Sequence, residues 1–191
     1  MDSSSGYEER AWEFLDRRSA VGAEVVRRWA QSLPVGGAVL ELGCGGGYPV
    51  TRTLVDVGLN VWAIDGSPTL LDKFRQRFPL IPARCEAVQR SGFFERAFDA
   101  VIAVGLLFLL SEADQAALIQ RTAEVLPPGG RFLFSAAHET GTWTDVLTGH
   151  ESRSLGIEGY AQALRTSGFD LDETFVDTGQ NGYYASRKVT K

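Results

Sequence analysis

Cysteine, histidine and methionine are scarce in this chain of 191 residues, which holds two, two and one of them. Two cysteines, Cys44 and Cys85, are too few for a disulfide framework, and two histidines supply no ligand set for zinc, so no metal is expected. Long apolar runs are missing as well. The longest, Ala100 to Leu110, is about half of the roughly 20 residues that a membrane-spanning helix needs. The polar opening Met1-Asp2-Ser3-Ser4-Ser5 lacks the basic and apolar regions of a signal peptide, so the expectation is a cytoplasmic protein with no membrane partner. Nor is there an excess of positive charge. Nineteen basic residues face 24 acidic ones, and the basic ones are scattered, which argues against a nucleic-acid partner.

What is present fits one compact α/β domain, since 44% hydrophobic residues in a chain of this length are enough for a core. Between Glu8 and Leu33, Trp12, Leu15, Val21, Val25, Val26 and Trp29 recur at mostly helical spacing, predicting one or two amphipathic helices. Ala38 to Leu42 is a short apolar run that enters a glycine cluster, with Pro49 near the start of a following helix. Asn60 to Ile64 is a second strand ending at Asp65, and Ser67-Pro68 opens a helix to about Arg77. Further strands are expected at Leu80–Ala83, Phe98–Val104 and Arg131–Ala136, with a helix over Glu112–Leu126 stopped by Pro127-Pro128-Gly129-Gly130. This alternation predicts a mainly parallel sheet covered on both faces, with ligands at the carboxyl ends of its strands. Residues 137–156 read as a long irregular loop, the expected lid. After it come a helix from about Ile157 to Ser167 and a closing hairpin of Phe169–Val176 with Tyr183–Val189. The expected division is therefore 1–34 as helices over the site, 35–136 as the binding core, 137–156 as the lid and 157–191 as helix and hairpin.

The chemistry centres on Gly43-Cys44-Gly45-Gly46-Gly47, where missing β-carbons let the backbone turn sharply and a ligand lie against the main chain. Asp65 stands 22 positions after Gly43, close to the spacing at which a carboxylate meets the ribose of an adenosine cofactor. A dinucleotide loop would require glycine at position 48, where this chain has Tyr48. Instead, Glu41-Leu42-Gly43-Cys44-Gly45-Gly46-Gly47 resembles the E/D-x-G-x-G-x-G motif of the class I methyltransferases that use S-adenosylmethionine (SAM). Ile64-Asp65-Gly66-Ser67, Phe98 to Ile102 and Leu126-Pro127-Pro128-Gly129-Gly130 are similar to later motifs of that family, in the same order.

The resemblance implies a Rossmann-like three-layer sandwich, a seven-stranded and mainly parallel sheet with an antiparallel strand from the C-terminal hairpin. It implies SAM as cofactor, with Gly43, Cys44 and Gly45 at its methionine part, Glu41 ordering that part, and Asp65, Gly66 and Ser67 at the ribose. Glu86 and Ala87 would meet the adenine, and Ala103 and Val104 would lie beneath the adenosine or sulfonium. For the methyl acceptor, expected to be a small molecule, His138, Trp143 and Tyr183 are the candidate contacts, with Tyr7 or Trp12 closing the site from the N-terminal helices. A histidine, such as His138, is a side chain of the type that can remove a proton from an acceptor. Leu106 to Leu110, where relatives often carry polar catalytic groups, is wholly apolar, and no catalytic residue is assigned.

Overall fold

The computed structural model describes residues 5–190. The opening residues 1–4, part of the polar start discussed above, and residue 191 lie outside the described residues. Three short helices, α1 (Ser5–Glu9), α2 (Ala11–Arg17) and α3 (Ala23–Ala30), replace the one or two expected, because Gly22 at φ +87° and the turn before it interrupt the amphipathic pattern. There follow β1 (Ala38–Leu42), α4 (Val50–Asp56), β2 (Asn60–Asp65), α5 (Pro68–Arg77), β3 (Ala83–Cys85), β4 (Ala100–Ala103), α6 (Glu112–Glu124) and β5 (Arg131–Ser135). The chain closes through β6 (Thr140–Thr144), β7 (Glu151–Leu155), α7 (Gly156–Thr166), β8 (Phe169–Val176) and β9 (Gly182–Lys188).

Seven strands form one sheet in the order β3-β2-β1-β4-β5-β9-β8. All pairings from β3 to β5 are parallel, and β9 is antiparallel to both β5 and β8. Strand residues alternate between two cores, as a period of two requires. Leu40, Val101, Phe132 and Phe134 pack with Leu118, Ile119, Tyr160 and Leu164 of α6 and α7. Val39, Ile102 and Leu133 face the other way, onto Val26 and Trp29 of α3 and Val50 and Leu54 of α4. The expected three-layer arrangement is thus present. After β1 the chain builds outward through β2 and β3, then crosses back to place β4 on the other side of β1. Open α/β sheets bind ligands at such a reversal, beyond the carboxyl ends of the strands.

Two local expectations are corrected. The third strand starts at Ala83, not at Leu80, because Ile81 N–H is turned back to the Phe78 carbonyl and Pro82 precedes the ladder. Residues 137–156 are not irregular, since β6 and β7 pair there as an antiparallel ribbon from Thr140↔Leu155 to Thr144↔Glu151. Its turn is fixed by Asp145, whose Oδ1 accepts from the backbone of Leu147 and Thr148 and from the Thr148 hydroxyl.

Two buried polar groups join elements of this frame. Tyr160 of α7 donates its hydroxyl to Gln115 Oε1 at 2.7 Å, and Gln115 Nε2 donates to the carbonyls of Leu110 and Arg153. One amide side chain thus ties α6, α7 and the ribbon. Glu41 on β1 is 2% exposed, and its Oε2 accepts from Thr51 Oγ1 at 2.6 Å. Burial pushes its carboxyl up to about 8, with Thr51 and Arg18 opposing the shift and Asp65 adding to it.

Two outcomes are expected. Tyr160→Phe leaves Gln115 Oε1 buried without a donor and should cost about 1–3 kcal/mol in urea unfolding. Because Glu41 binds its proton more tightly folded than unfolded, its contribution to stability is full below about pH 4.5 and falls as pH rises toward about 8. Glu41→Gln should therefore gain thermal stability relative to the parent across that window, most at its alkaline end. A difference in melting temperature that does not change with pH would contradict the assignment.

Candidate functional site

At the reversal between β1 and β4 lies a cavity of about 380 Å³, within the range of small-molecule sites. Its floor is the glycine loop. Gly43 and Gly45 line it at φ +73° and +53°, a left-handed region that only glycine enters at little cost. A β-carbon on either would press on Leu106 or Phe14 from 3.3 and 3.1 Å. The loop is anchored to the end of β2, where the N–H groups of Gly43 and Cys44 both donate to the Ile64 carbonyl.

Asp65 completes that anchor. Its Oδ2 accepts from Gly45 N–H at 2.7 Å and its Oδ1 from Ser67 N–H at 2.8 Å, so one carboxylate holds the glycine loop against the start of α5. Each oxygen keeps lone-pair capacity for a further donor on the cavity side. Burial raises its pKa, and the hydrogen bonds from Ser67 and Gly45 oppose this. Ser67 caps α5, accepting from Leu70 N–H, and donates its hydroxyl to Glu8. Glu8 also accepts from the backbone and hydroxyl of Thr69. The N-terminal helix α1 is thereby bound to the first turn of α5.

The cavity brings together some of the expected residues and leaves others outside it. Gly43, Cys44, Gly45, Asp65, Gly66, Val104 and Tyr183 line it. Glu41, Ser67 and Ala103 stand behind this lining, all buried. Glu86 turns away to accept from the Ser91 hydroxyl at 2.6 Å, and Val88, not Ala87, presents a side chain to the cavity. His138 is also outside, edge-on to Tyr184 and flush against the Gly182 backbone, with its Nε2 buried and unpaired among the described residues. Tyr184 stacks on Phe134 in the core. Trp143 lies on the ribbon against Phe108, which does line the cavity. Trp12 faces solvent with Lys73 nearby, whereas Tyr7 lines the cavity and donates to Asp145 of the ribbon turn at 3.3 Å.

Several lining residues carried no sequence signal. Phe14, Arg18 and Ser19 reach the cavity from the segment after α1, Phe108 and Leu109 from the turn after β4, Ser135 from the end of β5 and Asn181 from the loop of the closing hairpin. Tyr183 donates to Asp177 Oδ2 at 3.0 Å, and Asn181 donates to the same carboxylate. Burial, with Asp145 and Asp177 beside them, pushes the phenols of Tyr7 and Tyr183 up, so both stay neutral donors. The bare backbone of the loop, the acid beside it and the apolar flank of Leu70, Val88 and Leu106 together fit an adenosine bearing an amino-acid tail. No cluster of potential metal ligands exists among the described residues.

Residues 39–130 match a family described as "Methyltransferase domain". A probable S-adenosylmethionine-dependent methyltransferase of Mycolicibacterium smegmatis is 28% identical over 87% of this chain and 62% of its own length. A tRNA U34 carboxymethyltransferase of Idiomarina loihiensis is 29% identical over 59% of this chain and 36% of its own. The chain thus spans less than two thirds of the length of these relatives. Among solved structures, the glycopeptide N-methyltransferase MtfA in complex with SAM superposes with a TM-score of 0.73 at 23% identity, covering 90% of this chain and 95% of that one. The expectation of no nucleic-acid partner gains no support here, since one of these relatives is named for tRNA. Sequence motifs, sheet order and these matches agree that residues 39–130 match the methyltransferase-domain family and that the chain shares the fold of the SAM-dependent methyltransferases it superposes on.

Proposed function

We propose that this chain transfers the methyl group of SAM to a small acceptor held beside the glycine loop. The observation that carries this reading is that one cavity joins the loop and Asp65 to a separate wall formed by Phe108, Leu109, Ser135 and Tyr183. When bound, the cofactor supplies a methyl group already activated on a sulfonium. The protein's part is to bind, align and exclude water. Asp65 takes the ribose hydroxyls on its free lone pairs, and the backbone of Gly43 to Gly45 meets the methionine part. Glu41 supports that part from behind the loop, and Val88 and Leu70 flank the adenine. The wall formed by Phe108, Leu109 and Tyr183 holds the acceptor in line, and much of the rate then comes from proximity and orientation.

A small acceptor is favoured by the roof, in which the N-terminal helices and the ribbon meet at the hydrogen bond from Tyr7 to Asp145. Net charge of −5 is also unfavourable for a polyanion. A second reading, a cofactor-binding module without turnover, is favoured by one observation. Among the described residues that line the cavity there is no histidine, lysine or glutamate, its tyrosines are held neutral, and its one carboxylate, Asp65, is engaged by the Gly45 and Ser67 N–H groups.

Calorimetric titration with SAM and S-adenosylhomocysteine should show binding by the parent chain, weakened about 5- to 150-fold by Asp65→Ala, the effect of losing charge-assisted ribose hydrogen bonds. Unchanged affinity would remove Asp65 from the site. With SAM bound, labelled methyl transfer should appear on members of a panel of small thiols, amines, phenols and carboxylic acids. Transfer to tRNA alone would replace the small-acceptor reading, and binding with no transfer to any acceptor would favour the module.

A further inference from the structure

The wall assigned above to the acceptor is polar at only a few atoms, and most of these have already committed their protons. Tyr183 and Asn181 stand at the start of β9, with Tyr183 opposite Ser135 of β5, and all three line the cavity. Tyr7 reaches the same cavity from α1. Tyr183 donates its hydroxyl to Asp177 Oδ2 at 3.0 Å, and Tyr7 donates to Asp145 Oδ2 at 3.3 Å. Asn181 spends its side-chain amide on both oxygens of Asp177, at 3.0 Å each, so its own Oδ1 is left without a partner among the described residues. Asp177 is fixed in turn by the N–H groups of Gly179 and Asn181, which makes these commitments a property of the hairpin loop. Two phenol oxygens and one amide oxygen therefore have lone pairs, and no protons, to offer a ligand. Ser135 is the exception, since its Oγ accepts from Gly105 N–H and its proton has no acceptor among the described residues.

We propose that the methyl acceptor is an amine, bound in its neutral form with its N–H groups on the lone pairs of Tyr183 and Asn181. This rests on the reading of the cavity as a SAM site and names the acceptor within it. A polar atom buried without a partner costs about 1–3 kcal/mol, so a wall of lone pairs selects a ligand that brings donors. A primary amine brings two, an alcohol one and a carboxylate none. Charge agrees with the neutral form, because the Arg18 guanidinium lies within electrostatic reach of both phenols and disfavours a second cation beside it. The proton balance agrees as well. A phenol or thiol must be ionised by a base before it attacks, and the carboxylate of the lining is already engaged. A neutral amine attacks through its own lone pair. Nitrogen gives that pair to the methyl carbon as the carbon–sulfur bond breaks onto sulfur, and the extra proton of the product ammonium leaves to water after release. No side chain has to take it, so a lining without a free base is what this acceptor requires.

The test compares an amine, an alcohol and a carboxylic acid on matched skeletons: benzylamine with benzyl alcohol and benzoate, hexylamine with hexanol and hexanoate, and glucosamine with glucose and glucuronate. Ligand-observed NMR measures their binding to the chain saturated with S-adenosylhomocysteine. On at least one skeleton the amine should bind about 5- to 20-fold more tightly than its alcohol and its acid. Tyr183→Phe and Asn181→Ala should each weaken that amine about 3- to 10-fold. By calorimetry both variants should keep an affinity for S-adenosylhomocysteine within about twofold of the parent, which also shows that they fold. An alcohol or acid bound as tightly as its amine, no amine bound on any skeleton, or an amine indifferent to both variants would overturn the proposal. Loss of S-adenosylhomocysteine affinity in both variants would give these oxygens to the cofactor and overturn it as well. Failure of the parent chain to bind S-adenosylhomocysteine would instead overturn the SAM-site reading, and the amine assignment with it.

Discussion

The site depends on a single carboxylate that does two backbone jobs at once. Asp65 receives the N–H of Gly45 from one side and that of Ser67 from the other. A glycine loop has no side chains to hold its shape, so its conformation must be imposed from outside. Here the imposition comes from the end of the neighbouring parallel strand, through the Ile64 carbonyl and then through Asp65. Parallel pairing of β1 with β2 in register, Leu42 opposite Ile64, makes that reach possible. The sheet therefore fixes the loop, and the loop fixes where a ligand's backbone contacts fall. Hydrogen bonds to an ionised acceptor are among the stronger ones a protein makes, and burial strengthens them further.

From this anchor the organisation spreads in two directions. Ser67 passes the constraint to α5 as its cap and onward to Glu8, so the N-terminal segment is positioned by the same few atoms that shape the loop. On the opposite side, Gly105, two residues past β4, donates its N–H to the hydroxyl of Ser135 at the end of β5 at 2.8 Å, which fixes the far rim of the cavity. The ribbon is held at a third point, by Gln115 beneath and by Trp143 against Phe108. The binding cavity is thus a meeting place of elements far apart in sequence, each with its own tie to the sheet.

That dispersal explains what could be read from the residues in order. Strand–loop–helix units carry their own punctuation, so β1, β2, α5, α6, α7 and the closing hairpin were legible from apolar runs, Ser67-Pro68, the Pro-Pro-Gly-Gly stop and Gly168. The glycine loop and Asp65 were legible as a pair because their spacing is set by one crossover. The ribbon was not, because every residue of β6 is exposed and no apolar alternation marks it. Only the β-branched threonines and the turn of Asp145 distinguished it from an irregular loop. Glu86 and His138 stood at plausible sequence positions, but side-chain direction decides membership of a cavity. A serine five residues on captures the first, and the Gly182 backbone crowds the second. Arg18, in a charged stretch of a helix end, looked like any solvated arginine until the fold turned it inward.

The two cysteines occupy opposite environments. Cys85 is exposed at the end of β3, whereas Cys44 is buried in the glycine loop, where burial and the nearby carboxylates raise its thiol pKa well above the ordinary value. Because Cys44 is buried in the cavity wall while Cys85 faces solvent, a thiol-labelling reagent meets Cys85 freely and Cys44 only by way of the cavity. The chain thus carries a reporter inside the cavity and an internal standard outside it, and a ligand that fills the cavity should slow labelling of the first sulfur and not of the second.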